Sequence, residues 1–215
     1  LYRGGAVYCT VCENSFSKFQ QLPEDLLCPK CGSLGRQRQL WQILEKKNLI
    51  CDKSVLHLSP ARSLRRKIEI AEGIEYHTSD YNGDWKTDFK YDITNILAPP
   101  NRYDTIICYH ILEHIRDDRK AMRELHRMVR PGGVVLVQTP FKEGNIYENE
   151  AKIHTPADRL AHFEQEDHLR IYSVEGLANR LRESGFTVQI MTFDNEYEAV
   201  YKGLKSPEYV LWCEK

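Results

Sequence analysis

From residue 54 to the last residue, short apolar runs alternate with segments of helical period, and this alternation constrains the fold more than any other feature. "SVLHL", "GIEYHTSDY", "KYDITNI", "YDTIICYHI", "GVVLVQTP", "FTVQIMTF" and "YVLWCEK" read as strands. "RSLRRKIEIA", "DDRKAMRELHRMV" and "SVEGLANRLRESG" read as helices. The second is stopped by "RPGG"; the third opens on Ser173 as N-cap and closes on Gly185. Such alternation builds a mostly parallel sheet with helices on both faces, an α/β fold. Ligands of these sheets lie at the carboxyl ends of the strands. The segment 142–170 is long and polar with no sustained period, and loops of that kind are usually functional.

The front of the chain follows another rule. "CTVC" (Cys9, Cys12) and "CPKC" (Cys28, Cys31) are two CxxC knuckles separated by 15 residues, with Gly32 supplying a turn after the second. Four thiolates aimed at one point suit tetrahedral zinc, and four protein ligands leave no open position, so the expected ion is structural. A stretch of about 35 residues cannot bury enough apolar surface to fold alone, and metal binding supplies the missing free energy. "GRQRQLWQILEKKN" then reads as a connecting helix. The expected division is a zinc-ribbon-like module over 1–35, a connecting helix over 36–50 and an α/β domain over 51–215.

Charge and cysteine usage narrow the classes. Lys and Arg total 30 against 31 Asp and Glu, so no net field draws the chain to nucleic acid. In the ribbon, Arg3, Lys18 and Lys30 are matched by Glu13, Glu24 and Asp25, a poor phosphate footprint. No apolar run approaches the length of a membrane span, and no secretory segment opens the sequence. The first residue is Leu, which predicts that the sequence begins inside a longer one. Seven cysteines, an odd number, argue against a disulfide framework and for a reducing cytoplasm, with Cys51, Cys108 and Cys213 as packing residues.

At the strand ends, Asp80 can accept both hydroxyls of a ribose and Asp92 an adenine amino group. Either acid alone can instead serve its own turn, but two acids at successive strand ends favour a nucleoside. "VLHLSPARS", "YHTSDY", "KYDITNI", "YDTIICYHILEHIRDD" and "MRELHRMVRPGGVVLVQTP" together resemble the class I S-adenosylmethionine-dependent methyltransferases of the type 11-like group, over about residues 50 to 215. The resemblance implies a Rossmann-like sheet of seven strands, the last antiparallel. It also implies S-adenosylmethionine held by His57, Ser59, Pro60, Ala61, Asp80, Tyr81, Asp92, Ile93 and His110. The group's first loop normally carries an acid and three glycines. Here His57 stands for the acid, and Ser59, Ala61 and Ser63 for the glycines. Pro60 stiffens the loop, and residues with a Cβ are expected to avoid positive φ. Arg62 and the helix start behind the loop offer partners to a carboxylate.

Methyl transfer from a sulfonium needs alignment, and a base only where the acceptor is protonated. His110, Asp167 and His168 are the candidate catalytic groups, with His110 closing a strand and the other two on the long polar segment beside Arg170 and Tyr172. Glu113 and His114 fit hydrogen bonding at a helix start at least as well as catalysis. The expected acceptor is a small molecule or a glycan- or lipid-linked intermediate. An RNA base methyltransferase with a zinc front module and a non-catalytic cofactor-binding protein are the alternatives.

Overall fold

A computed structural model of the chain describes residues 2–23, 25–83, 86–148 and 152–215. In chain order the strands are β1 (Val7–Cys9), β2 (Asn14–Phe16), β3 (Gln20–Gln21), β4 (Leu26–Leu27), β5 (Ser54–Leu58), β6 (Glu75–Ser79), β7 (Tyr103–Tyr109), β8 (Val129–Gln138), β9 (Thr187–Phe193) and β10 (Glu208–Glu214). The helices are α1 (Gly35–Lys46), α2 (Arg62–Ile68), α3 (Asp118–Met128), α4 (Pro156–Phe163), α5 (Val174–Glu183) and α6 (Glu196–Lys202), with a 3-10 turn at Leu112–His114. They form two compact units: Leu1–Ser54 with Pro60–Tyr76 and Thr192–Glu208, and Val55–Ser59 with His77–Met191 and Tyr209–Lys215.

In the first unit, the hairpins β1–β2 and β3–β4 are antiparallel. Arg38 of α1 is their keystone. It is wholly buried beneath the ribbon, where its guanidinium donates to the carbonyls of Leu26, Ser33, Lys202 and Gly203 and lies over the Phe19 ring. A planar five-donor fork can satisfy that many carbonyls at once, as no other side chain can. Burial lowers its pKa, while the fork's carbonyl partners hold it in place.

The second unit carries the sheet, in the order β6-β5-β7-β8-β10-β9. β5, β7 and β8 run parallel, and β10 returns antiparallel against β8. Leu56, Leu58, Ile106, Cys108, Val135, Val137, Leu211 and Cys213 form one buried face, packed with Ala121, Met122 and Leu125 of α3 and Leu177, Ala178 and Leu181 of α5. Val55, Ile107 and Leu136, of the opposite register, are buried too. Burial on both faces is why these strands read as continuous apolar runs.

The sheet has six strands among the described residues, where seven were expected. "KYDITNI" forms no strand: Asp92 Oδ1 accepts from Thr94 N and Oγ1, both at 2.8 Å, and folds its backbone into a turn. At the β6 edge a single parallel bridge, Ser79 to Phe89, remains among the described residues. There the Asp88 carboxylate takes the Thr78 N–H at 2.8 Å, a bond that ladder pairing would otherwise use. The "RPGG" segment ends α3 as expected, yet it also lies inside β8, where the register against β7 shifts between Tyr103 and Thr105. Gly132, at φ +75°, allows that irregularity.

The segment 142–170 is more ordered than its sequence pattern implies, although its residues 149–151 lie outside the described ones. It contains α4, capped by Thr155 and Asp158 with Pro156 at its first position. Tyr147 pairs with Ile171, and Phe141 with Tyr172.

Candidate active site and metal centre

The four cysteines of the ribbon converge. Cys9 and Cys31 Sγ lie 3.7 Å apart, as do Cys12 and Cys28 Sγ, and all four are within 4.8 Å of one another. Zinc–sulfur bonds of about 2.3 Å in a tetrahedron place sulfurs about 3.8 Å apart, so the cluster is consistent with a zinc ribbon. Gly32 sits at φ +73° and donates to Cys28 O at 3.0 Å, closing the second knuckle as its sequence implied. Ser33 Oγ approaches Cys9 and Cys31 at 3.3 and 3.2 Å. Hydrogen bonds from Cys28 and Cys31 pull the Cys9 thiol down, whereas burial pushes Cys12 up to about 11. The group as a whole resists becoming four thiolates without a cation among them. All seven cysteines are free.

In the second unit, β5 ends at Leu58 and Ser59 turns the chain. Ser59 adopts φ +44°, contrary to the expectation that a loop without glycine avoids this region. The turn is held from two sides: Ser59 N donates to Ser79 O at 2.8 Å, and Ser59 Oγ to Asp80 Oδ1 at 3.1 Å. Asp80 Oδ2 accepts from Gly83 N at 2.9 Å, and the residue is 8% exposed. A serine can therefore stand where glycine was expected, because its hydroxyl anchors the strained backbone to the acid of the next strand. His57 is buried within β5. Pro60 follows Ser59, and Ala61, at φ −65°, is the N-cap of α2. Tyr81 is 63% exposed, Ile93 is buried, and Asp92 is exposed with one oxygen engaged by its own turn.

The catalytic candidates gather beyond the end of β7. His110, at φ +53°, donates its N–H to Gln138 O at 2.8 Å, which breaks the chain away from the strand direction. The 3-10 turn that follows carries Glu113 and His114; α3 begins only at Asp118 with Asp117 as N-cap, so Glu113 does not cap a helix. Glu113 is 1% exposed and neither carboxylate oxygen has a hydrogen-bond partner among the described residues. His110 Nδ1 is 3.4 Å and His114 Nε2 4.0 Å from Glu113 Oε1. His168, 3% exposed, sets its ring edge-on to His114 with centroids 4.7 Å apart. Burial, then the His114 charge, depresses its pKa. Asp167 is exposed and its carboxylate reaches His114 Nδ1 at 3.2 Å.

Arg170, which the sequence sets beside His168, is 3% exposed. It is a buried clamp that donates to the carbonyls of Leu112 (3.2 Å), Ile115 and Arg116 (3.0 Å) and to Glu148 Oε2 at 2.7 Å. Asp118 accepts from Tyr172 Oη at 2.6 Å and from Arg180, which also pairs with Glu148. This lattice fixes the turn that carries Glu113 and His114, and Leu169 N adds a bond to Glu113 O at 2.8 Å. Its members were visible singly in the sequence, but no local spacing links Asp118, Glu148, Arg170 and Arg180.

A family model described as a methyltransferase domain matches residues 60–189, more than half of the chain. The chain belongs to this family of S-adenosylmethionine-dependent methyltransferases. Among curated relatives, the ubiquinone biosynthesis O-methyltransferase of Pseudomonas syringae pv. tomato is 42% identical over 48 residues, 22% of this chain and 21% of that protein. The aligned stretch thus spans about a fifth of the length of such relatives. A methyltransferase of Archaeoglobus fulgidus has a similar structure (TM-score 0.58, 17% identity, 83% of this chain and 94% of that one). So has the 1,6-didemethyltoxoflavin-N1-methyltransferase of Burkholderia thailandensis (TM-score 0.56, 18% identity, 83% and 77%). At these identities the likeness is one of fold. No helix among the described residues is long and apolar enough to cross a membrane.

Proposed function

We propose that the chain transfers a methyl group from S-adenosylmethionine to an oxygen or nitrogen of a small-molecule acceptor, free or linked to a glycan or lipid carrier. The observation that carries this reading is the Ser59–Asp80 pair at adjacent strand ends, within a fold and family of methyltransferases. Asp80 would accept the ribose hydroxyls, with Tyr81 against the nucleoside and Asp92 and Ile93 at the adenine. His57, Ser59, Pro60 and Ala61 would shape the methionine end beside His110. S-adenosylmethionine supplies a methyl group already activated as a sulfonium. In the displacement the acceptor's lone pair would take the methyl group, the S–CH3 electron pair would stay on sulfur, and the acceptor's proton would pass to His110 or to water. Asp167 and His168 would hold the acceptor near Glu113 and His114.

The 1–35 module would bind zinc structurally at Cys9, Cys12, Cys28 and Cys31, ahead of the connecting helix 36–50 and the methyltransferase domain 51–215. Free cysteines fit a reducing, cytoplasmic setting. A formal charge of −1 argues against an RNA acceptor. Incubation with tritiated-methyl S-adenosylmethionine and cell fractions tests the acceptor class. Label should enter the small-molecule, glycan or lipid fraction; label confined to RNA would overturn the acceptor reading.

A further inference from the structure

Glu113 is buried with both oxygens unpartnered, and such a group needs a reason. An ionised carboxylate held this way costs several kcal/mol unless a cation compensates it. The His110 contact at 3.4 Å falls outside hydrogen-bond geometry.

The surroundings point to a bound ion. Glu113, His114 and His168 each offer one ligand atom, and the three atoms lie within 4.8 Å of one another. A cation with bonds of about 2.0–2.2 Å would need only a small inward movement of these groups. The Nδ1 of His114 is engaged by Asp167, at 3.2 Å from Oδ2 and 3.3 Å from the backbone oxygen. Its Nε2 lone pair is therefore left on the Glu113 side. Carboxylates and carbonyls orient metal-bound imidazoles in this way. The ligand-bearing segments are also fastened together, by Leu169 N to Glu113 O and by Arg170 to the carbonyls on either side of the turn. A site built from two locked segments loses little freedom when an ion enters.

We infer that Glu113, His114 and His168 bind one divalent first-row transition-metal ion, with His110 beside it as a further donor. Two imidazoles and a carboxylate favour manganese, iron, cobalt, nickel or zinc over calcium and magnesium, which prefer all-oxygen sites. Three protein ligands leave positions open, unlike the closed cysteine cluster. An open position beside His110 suits an acceptor hydroxyl, whose proton a metal ion makes easier to remove. That last step rests on the methyltransferase reading; ion binding does not.

Manganese(II) separates the two centres, because a thiolate cluster discriminates against it. The full chain, with zinc kept on the cysteines and looser metal removed by brief chelation, is titrated with Mn2+ and followed by electron paramagnetic resonance. Wild type should bind one Mn2+ per chain. Glu113→Gln and His168→Ala should each weaken binding by about tenfold or more, with the cysteine-held zinc unchanged. His114→Ala, at a partly exposed position, repeats the test if the buried variants fail to fold. The inference is overturned if folded wild type binds neither Mn2+ nor Co2+ and holds no metal beyond the cysteine-bound ion. It is equally overturned if folded His114→Ala binds as tightly as wild type. Calorimetry with S-adenosylmethionine on the same preparations keeps the readings apart. Cofactor binding without Mn2+ binding sinks the ion alone; Mn2+ binding without cofactor binding sinks only the methyltransferase reading.

Discussion

Replacing Arg170 with Leu tests whether the polar lattice, rather than the apolar core, fixes the turn at Leu112–His114. The side chain is buried and serves three backbone carbonyls and Glu148. Hydrogen bonds to a charged group contribute about 1.5–3 kcal/mol each. Two effects reduce the simple sum: each carbonyl has a second lone pair, and Arg180 still neutralises Asp118 and Glu148. A loss of about 3–5 kcal/mol remains, within the range for breaking a buried ion pair. For a chain of this size that lowers Tm by roughly 10 °C. Arg170→Lys keeps the charge, but one ammonium cannot span three carbonyls and a carboxylate, so it should recover less than half the loss. The assay is thermal unfolding followed by near-UV circular dichroism, with hydrogen exchange at the amides of residues 112–116. A melting temperature within about 1 °C of wild type would refute the reasoning.

Cys28→Ser should abolish zinc retention and expose residues 1–35 to proteolysis, since metal affinity and folding are one free energy in so small a module. Full metal content and unchanged cleavage would contradict the ribbon. Burial alone would raise the Glu148 pKa, but hydrogen bonds from Arg180 and Arg170 outweigh it and hold the value low. A folded pKa below the unfolded one, about 4.3, means stability present above that value and lost as pH falls through the lower folded value. Glu148→Gln should therefore flatten part of the acid loss of stability that urea titrations at pH 3 to 5 record in wild type; an unaltered acid slope would count against the pairing.

The parts of the fold written in periodic signals were legible. "SVLHL" is β5, residue for residue, and Ser173 caps α5 by accepting from Gly176 N at 3.1 Å. Where side chains replace backbone partners, the pattern misled. "KYDITNI" alternates like a strand, yet Asp92 spends its carboxylate on Thr94 and Asp88 occupies the β6 edge. Gly32 marked its knuckle because the turn needs a positive φ; Ser59 gave no such mark, since the Asp80 contact that holds it comes from 21 residues away. The same limit hid Arg38: the helix that carries it was legible, but its carbonyl partners lie 164 and 165 residues away. The histidines at 110, 114 and 168 were visible as chemistry, but only the fold brings His168 against Glu113.

The central claim, that this chain uses S-adenosylmethionine, is tested most directly by isothermal calorimetry of S-adenosylmethionine and S-adenosylhomocysteine against wild type and Asp80→Ala. Wild type should bind both ligands, and the variant should bind them about 1.5–3 kcal/mol more weakly, roughly ten- to hundredfold, through the lost ribose hydrogen bonds. Folded wild type that binds neither ligand at millimolar concentration, or an Asp80→Ala chain with unaltered affinity, would contradict it.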